Sequence, residues 1–214
     1  MLTARDVLRA GATLCSFRRK VLFEGGLDDP SPSTAAIPVT WRFGGEADLA
    51  AMTAPEFGYS AEAREFGMER LRAGDRFVLC ESGGRVVFYA WVMFGQLDLS
   101  CRNYVALERD RAYTYKLYTV PSFRGRRICL AYYSFLKREL RAMGFRSVMA
   151  WVAAGNRASL RAHERAGLRP VGTIWHWRLA GRPYFITPEG IRTDHASRLE
   201  SRDGRLKAGS TSIS

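Results

Sequence analysis

The run Leu117-Tyr118-Thr119-Val120-Pro121-Ser122-Phe123-Arg124-Gly125-Arg126-Arg127-Ile128-Cys129 reads as a strand, a proline stop, a tight glycine-containing loop and the first turn of an amphipathic helix. Such a first turn leaves up to four backbone N–H groups unpaired at the positive end of the helix dipole, a natural anion site. Cations there are disfavoured by some tenths of a kcal/mol up to ~1 each, yet the loop carries Arg124, Arg126 and Arg127. An anion would reverse that repulsion, and a pyrophosphate suits the charge. On electrostatics alone, three solvated arginines on a surface loop explain the pattern equally well.

A second segment, Asn156-Arg157-Ala158-Ser159-Leu160-Arg161-Ala162-His163-Glu164-Arg165-Ala166-Gly167-Leu168, follows a helix and a strand later. The first segment resembles the cofactor loop of the GNAT superfamily of acyl-CoA-dependent N-acyltransferases, in which a strand ending x-x-V-x-P runs into R-G-x-G-x-G/A. The second is similar to that family's N-x-x-[AS]-x-x-x-[YH]-x-x-x-G-[FL] pattern. The resemblance covers about residues 38–187. It implies a mixed, largely antiparallel twisted sheet of about six to seven strands with helices on both faces. It implies acetyl-CoA, or another acyl-CoA, as co-substrate, with no metal. Backbone groups of Leu117, Tyr118, Thr119 and Val120 would pair with the pantetheine arm, and one strand N–H would polarise the thioester carbonyl. Backbone N–H groups of Arg124, Gly125, Arg126, Arg127, Ile128 and Cys129 would hold the pyrophosphate. Asn156 would hydrogen-bond the pantetheine, Ser159 would line the same channel, and His163 would protonate the departing thiolate.

Two positions depart from the family pattern. Arg127 replaces the middle glycine of the loop and Cys129 the last glycine or alanine. Glycine permits positive φ and close approach of a phosphate. A helical backbone at Arg127 would tolerate the change and turn the side chain toward a phosphate. As an acid, an unperturbed histidine near 6.5 is about one-quarter protonated at pH 7, and a thiolate of pKa ~8.5 leaves readily enough for it to serve. An ordinary helix histidine is the bland alternative. Removing a proton from a lysine-like amine at pH 7 requires roughly 4.6 kcal/mol, so a base is needed more than an acid. Glu81, Glu108 and Glu62 are the candidates, each also readable as a surface carboxylate, and no base is assigned. No cysteine is placed as a nucleophile, so attack by the amine is expected to be direct, within a ternary complex.

Elements that must position these residues are legible around them. Residues 1–37 read as an extension, with a short helix over Ala4 to Ala12, a short strand at Val21-Leu22-Phe23 and a turn-rich stretch after Asp28. Ile37–Phe43 alternates as a strand, Glu46–Met52 and Ala61–Ala73 read as helices, and Arg76–Glu81 with Arg85–Phe94 form a hairpin through Ser82-Gly83-Gly84. Tyr113–Val120 is a strand, with Tyr113, Tyr115, Leu117 and Thr119 on one face and Lys116 and Tyr118 on the other. A helix over Arg126–Met143 presents Ile128, Tyr132, Phe135, Leu136, Leu140 and Met143 as its apolar stripe. Ser147–Val152 is a strand, Asn156 opens a helix ending at Gly167, and Leu168–Leu179 with Pro183–Thr187 form a last hairpin. The order mixes hairpins with one crossover and predicts an α/β (α+β) mixed sheet covered by helices. Residues 188–214 read as a polar, mobile tail.

The 214 residues carry Lys+Arg 33 against Asp+Glu 21, a net +12, and 47% hydrophobic residues. That composition excludes wholesale disorder and suits one domain with a sizeable core. The charge favours anionic partners: a phosphorylated cofactor, an acidic carrier protein, nucleic acid or acidic lipid. Nucleic acid fits poorly, because Phe88, Tyr89, Trp91 and Tyr113 sit in strands expected to be buried and not on an exposed platform. No apolar run reaches the ~20 residues of a membrane span. Four scattered cysteines and three histidines predict neither a disulfide framework nor a metal site, and a reducing cytoplasm is the expected compartment. The expectation is an N-acyltransferase acting on a small-molecule or peptide amine. Its rivals are the same fold fed by an acyl carrier protein or other activated donor, and a catalytically lapsed ligand-binding module.

Overall fold

The computed structural model describes residues 15–28, 33–53, 55–100, 103–179 and 182–186. The expected helix over Ala4 to Ala12 and the tail 188–214 lie outside the described residues. Among the described residues, ten strands and four α-helices follow in chain order: β1 (Cys15–Gly26), β2 (Thr40–Gly44), α1 (Glu46–Ala51), α2 (Ala61–Arg72), β3 (Arg76–Ser82), β4 (Arg85–Phe94), β5 (Gln96–Ser100), β6 (Asn103–Ala106), β7 (Arg111–Thr119), α3 (Ile128–Ala142), β8 (Ser147–Ala153), α4 (Arg157–Arg165), β9 (Arg169–Leu179) and β10 (Arg182–Ile186). Eight strands form one sheet in the order β10-β9-β1-β8-β7-β4-β3-β2, while β5 and β6 form a separate hairpin. Pairing is antiparallel except between β7 and β8, which the crossover helix α3 joins in parallel.

The sheet is therefore one strand larger than expected, and the extra strand comes from the segment read as an extension. β1 runs antiparallel to β8 on one side and to β9 on the other. Its Leu22 and Phe23 are buried in different layers, one on each face of the sheet. One core layer packs α3 against Val78, Phe88, Ala90, Val148 and Ala150. The stripe of α3 is buried at Ile128, Tyr132, Phe135, Leu136 and Leu140, but Met143 falls at the C-cap and is 44% exposed. The other layer gathers Leu49 of α1, Leu97 and Leu99 of the β5–β6 hairpin, and Phe77, Trp91, Tyr113 and Tyr115 of the sheet. Gly67 of α2 lets the helix approach this layer, since a Cβ there would stand 2.6 Å from Leu49 Cδ2 and 3.1 Å from Trp91 Cζ2. The α2 terminus is tied to the sheet by a buried network: Arg70 donates twice to Asp75 (2.9 and 2.8 Å), and the Tyr115 hydroxyl donates to the same carboxylate at 2.6 Å.

β7 does not keep the simple alternation read from its sequence. Between Tyr89↔Tyr118 and Trp91↔Tyr115, β4 advances two residues while β7 advances three. The extra residue is a bulge at Lys116–Leu117, with Lys116 at φ +50. One inserted residue flips every later side chain. Tyr118 consequently joins Tyr113 and Tyr115 on one face, and Leu117 packs with the α3 layer.

Candidate functional site

The parallel pairing of β7 with β8 stops at Tyr113↔Met149. Beyond that point the two strands part, leaving an edge inside the sheet whose backbone groups have no strand neighbour on the β8 side. A cleft of about 690 Å³ opens there. It brings together Leu117, Tyr118 and Thr119 of β7, Arg124, Gly125, Arg127, Ile128 and Cys129 of the loop and α3 start, and Asn156 and Ser159 of the α4 start. Ten of the twelve residues expected to hold a cofactor thus border one cleft, and the N-termini of α3 and α4 both open onto it.

Val120 and Arg126 do not. Val120 is 2% exposed and its N–H donates to the Val87 carbonyl at 3.0 Å, so it has no backbone donor for a pantetheine. Arg126 turns its guanidinium over the Phe123 ring, and its carbonyl accepts from the Ala36 N–H at 2.9 Å. Asn156 caps α4: its Oδ1 accepts from the Ser159 N–H at 3.1 Å. That bond spends the oxygen and leaves the amide NH2 as the donor the cap does not use. Cys129 borders the cleft, but burial pushes its thiol up to about 12, so almost none is thiolate near neutral pH. Cys129 is therefore not set up as a nucleophile.

Arg127 is not helical. It sits at φ 59, ψ 17, in the left-handed region, immediately before α3 and without a side-chain cap bond. The family's glycine at this point now has a physical reason: the turn requires positive φ, which a Cβ makes unfavourable. Arg127→Gly is expected to stabilise the free protein by about 1 kcal/mol, a rise of roughly 2–4 °C for a chain of this size. Differential scanning of the two proteins checks it, and an unchanged or lower melting temperature would contradict the strain.

His163 departs furthest from expectation. It is 3% exposed, enclosed by the rings of Phe23 and Tyr133 at 5.5 Å each, and does not border the cleft. Its Nδ1 lies 2.7 Å from the Ser159 carbonyl, which can only accept. The proton therefore resides on Nδ1, and burial lowers the pKa, so the neutral ring has no second proton to give. An acid role toward a thiolate in the cleft is not consistent with this placement. None of the three candidate bases reaches the cleft either. Glu81 pairs with Arg42 at 2.7 Å, Glu108 with Arg111 at 3.2 Å, and Glu62 lies in the first turn of α2 with its carboxyl held below the usual range by the Ser60 hydroxyl.

Sequence reading missed Ala158, Arg161, Ala162 and Arg165, which also line the cleft. The signal was available: Arg157, Arg161 and Arg165 recur every four residues and so share one face of α4. With Arg124 and Arg127, the cleft-lining Arg161 and Arg165 make four exposed arginines around one opening, and among the described residues no carboxylate lines it.

Comparison with known proteins agrees with this architecture. The sequence model of the acetyltransferase (GNAT) family matches residues 47–168, more than half of the chain. An acetyltransferase of the GNAT family from Colwellia psychrerythraea superposes with a TM-score of 0.58 at 13% identity, over 77% of this chain and 57% of its own. A conserved protein of unknown function from Staphylococcus epidermidis gives 0.54 at 8% identity, over 83% and 67%. A Drosophila protein gives 0.51 at 16% identity, over 83% and 56%. The chain thus spans between about half and two thirds of the length of these solved relatives, and at such identities they establish the fold alone. No curated protein matches. With the family match spanning α1 to α4 and both motif segments meeting at one cleft, the chain belongs to the GNAT acetyltransferase family.

Proposed function

We propose that this chain transfers an acyl group, most simply acetyl, from coenzyme A to an amine by direct attack in a ternary complex. The observation that carries this reading is the cleft itself: an unpaired strand edge at Leu117–Thr119 meets a helix N-terminus ringed by arginines and free of carboxylates. A pantetheine arm has amides that can extend the open edge as an added strand would. Its pyrophosphate suits the N–H groups and arginines at the start of α3. The bulge at Lys116–Leu117 takes backbone groups out of the β4 ladder beside the place where the thioester would lie, which is what polarising its carbonyl requires. With His163 enclosed, no acid is assigned to the departing thiolate; at pKa ~8.5 it can leave as the anion and take its proton from solvent.

Binding linkage supplies the test. Coenzyme A at a hundred times its dissociation constant is expected to stabilise the protein by about 2.7 kcal/mol, raising the melting temperature by roughly 5–11 °C. No shift at millimolar concentration with folded protein would remove the coenzyme A reading and leave the fold untouched. The four exposed arginines of the cleft also favour a second reading, an acidic carrier protein presenting the same arm. Carrier-fed transfer would fall steeply between 50 and 300 mM salt and resist competition by free coenzyme A.

A further inference from the structure

The donor cleft uses the Leu117 side of the bulge; the neighbouring residue of the same bulge, Lys116, belongs to the other side. Its ammonium stands 4.6 Å from the centre of the Phe66 ring on α2 and 6.0 Å from that of Tyr59. The residue is exposed, and among the described residues no carboxylate pairs with it. The charges around it can be named element by element. α2 offers the Phe66 ring, the segment before α2 offers the Tyr59 ring, and the β5–β6 hairpin offers Asp98, whose carboxylate acts on the ammonium through its field. The hairpin is anchored to β8 and β1: Trp151 Nε1 donates to the Asp98 carbonyl at 2.8 Å, and Lys20, its ammonium 3.7 Å from the Trp151 ring centre, donates to the Leu99 carbonyl. On the other side, Tyr115, the residue before Lys116, is pinned to Asp75. Fixed elements therefore hold a lysine in a left-handed backbone conformation that any β-carbon disfavours, at the point where β7 and β8 part.

An amine acceptor is itself a cation in water. One that approaches past Lys116 meets like-charge repulsion unless it carries an anion of its own, and the same field favours its neutral, nucleophilic form. We propose that Lys116 selects the acceptor: an amine bearing an anionic group, carboxylate or phosphate, which pairs with the Lys116 ammonium while the amine nitrogen attacks the thioester across the bulge. In the step itself the nitrogen forms a bond to the thioester carbon, the carbon–sulfur bond breaks, the thiolate leaves, and the surplus proton on nitrogen passes to solvent. Partial desolvation of the stem of this otherwise exposed lysine, beside the Phe66 and Tyr59 rings, lowers its pKa, and an arriving anion favours the charged form. This inference rests on the acyl-transfer reading above.

Thiol release from acetyl-CoA, measured with matched acceptors, tests it: amino acids against their decarboxylated amines, and glucosamine 6-phosphate against glucosamine. The anionic member of at least one pair is expected to react with a kcat/KM about tenfold to a hundredfold higher, the usual worth of a hydrogen bond to a charged group. Lys116→Met should erase that preference by raising KM, with kcat within about threefold, and Lys116→Arg should retain most of it. The melting-temperature shift caused by coenzyme A should be unchanged in Lys116→Met, which separates a failure here from a failure of donor binding. Should the methionine variant fold poorly, Lys116→Gly removes the charge and relieves the backbone, and is expected to melt some degrees higher while losing the preference. Equal or better reaction of the uncharged acceptors, an unchanged KM in the variants, or no turnover of any anionic acceptor by protein that binds coenzyme A would each overturn the proposal.

Discussion

A chain truncated to begin at Leu27 is expected not to fold. The loss removes β1, which lies between β8 and β9 and is hydrogen-bonded to both. Leu22 and Phe23, at 0% and 1% exposure, each contribute about 1.5–3 kcal/mol by burial. Two ladders of backbone hydrogen bonds add roughly 0.5–1.5 kcal/mol per bond. Together these reach the whole 5–15 kcal/mol that keeps a typical domain folded. The loss would also uncover the facing edges of β8 and β9, an invitation to aggregation. His163 would lose the Phe23 ring that encloses it, and the α4 side of the cleft would lose its support. Far-UV circular dichroism and size exclusion decide the matter. A truncated protein that melts cooperatively within a few degrees of the full chain would show that β1 is an accessory strand.

The place of β1 was hard to read for a physical reason. Its first half contains Arg18-Arg19-Lys20, and Lys20 is 3% exposed, its charge accommodated by the Trp151 face and the Leu99 carbonyl. A buried lysine with partners remote in sequence carries the same letters as a solvated one. The burial of His163 was concealed similarly, since Phe23 approaches from 140 positions earlier. By contrast, α3, α4 and the β3–β4 hairpin follow from local periodicity and turn chemistry, and they lie where the spacing puts them. The β7 bulge defeats a period-two reading because nothing in Tyr115-Lys116-Leu117 marks an inserted residue. The cleft was legible because both its walls begin at helix starts, which leave signatures in sequence: a proline and glycine loop before α3, an asparagine cap before α4. The side of the bulge where Lys116 lies has no such signature, being assembled from β5, α2 and the strand itself.

Ala158→Glu should separate the stability of α4 from the function of the cleft by moving them in opposite directions. Ala158 is exposed, occupies the second position of α4 and borders the cleft. A carboxylate in a first helical turn is favourable to the helix by about 0.3–1 kcal/mol, and this turn has no acidic residue of its own. The free protein should therefore melt no lower than the wild type. For a bound coenzyme A the same carboxylate is an unwelcome neighbour. One negative charge about 8 Å from a phosphate charge, at an effective dielectric near 20, costs about 2 kcal/mol, or roughly thirtyfold in affinity, before the second phosphate is counted. The coenzyme A-induced rise in melting temperature should accordingly shrink or vanish and partly return at high salt, where the added charge is screened. Ala158→Gln, of similar bulk but uncharged, should retain most of the rise and so exclude simple blockage. If Ala158→Glu binds coenzyme A as the wild type does, the phosphates do not run past the start of α4. The arginines of that helix would then answer to a different anion.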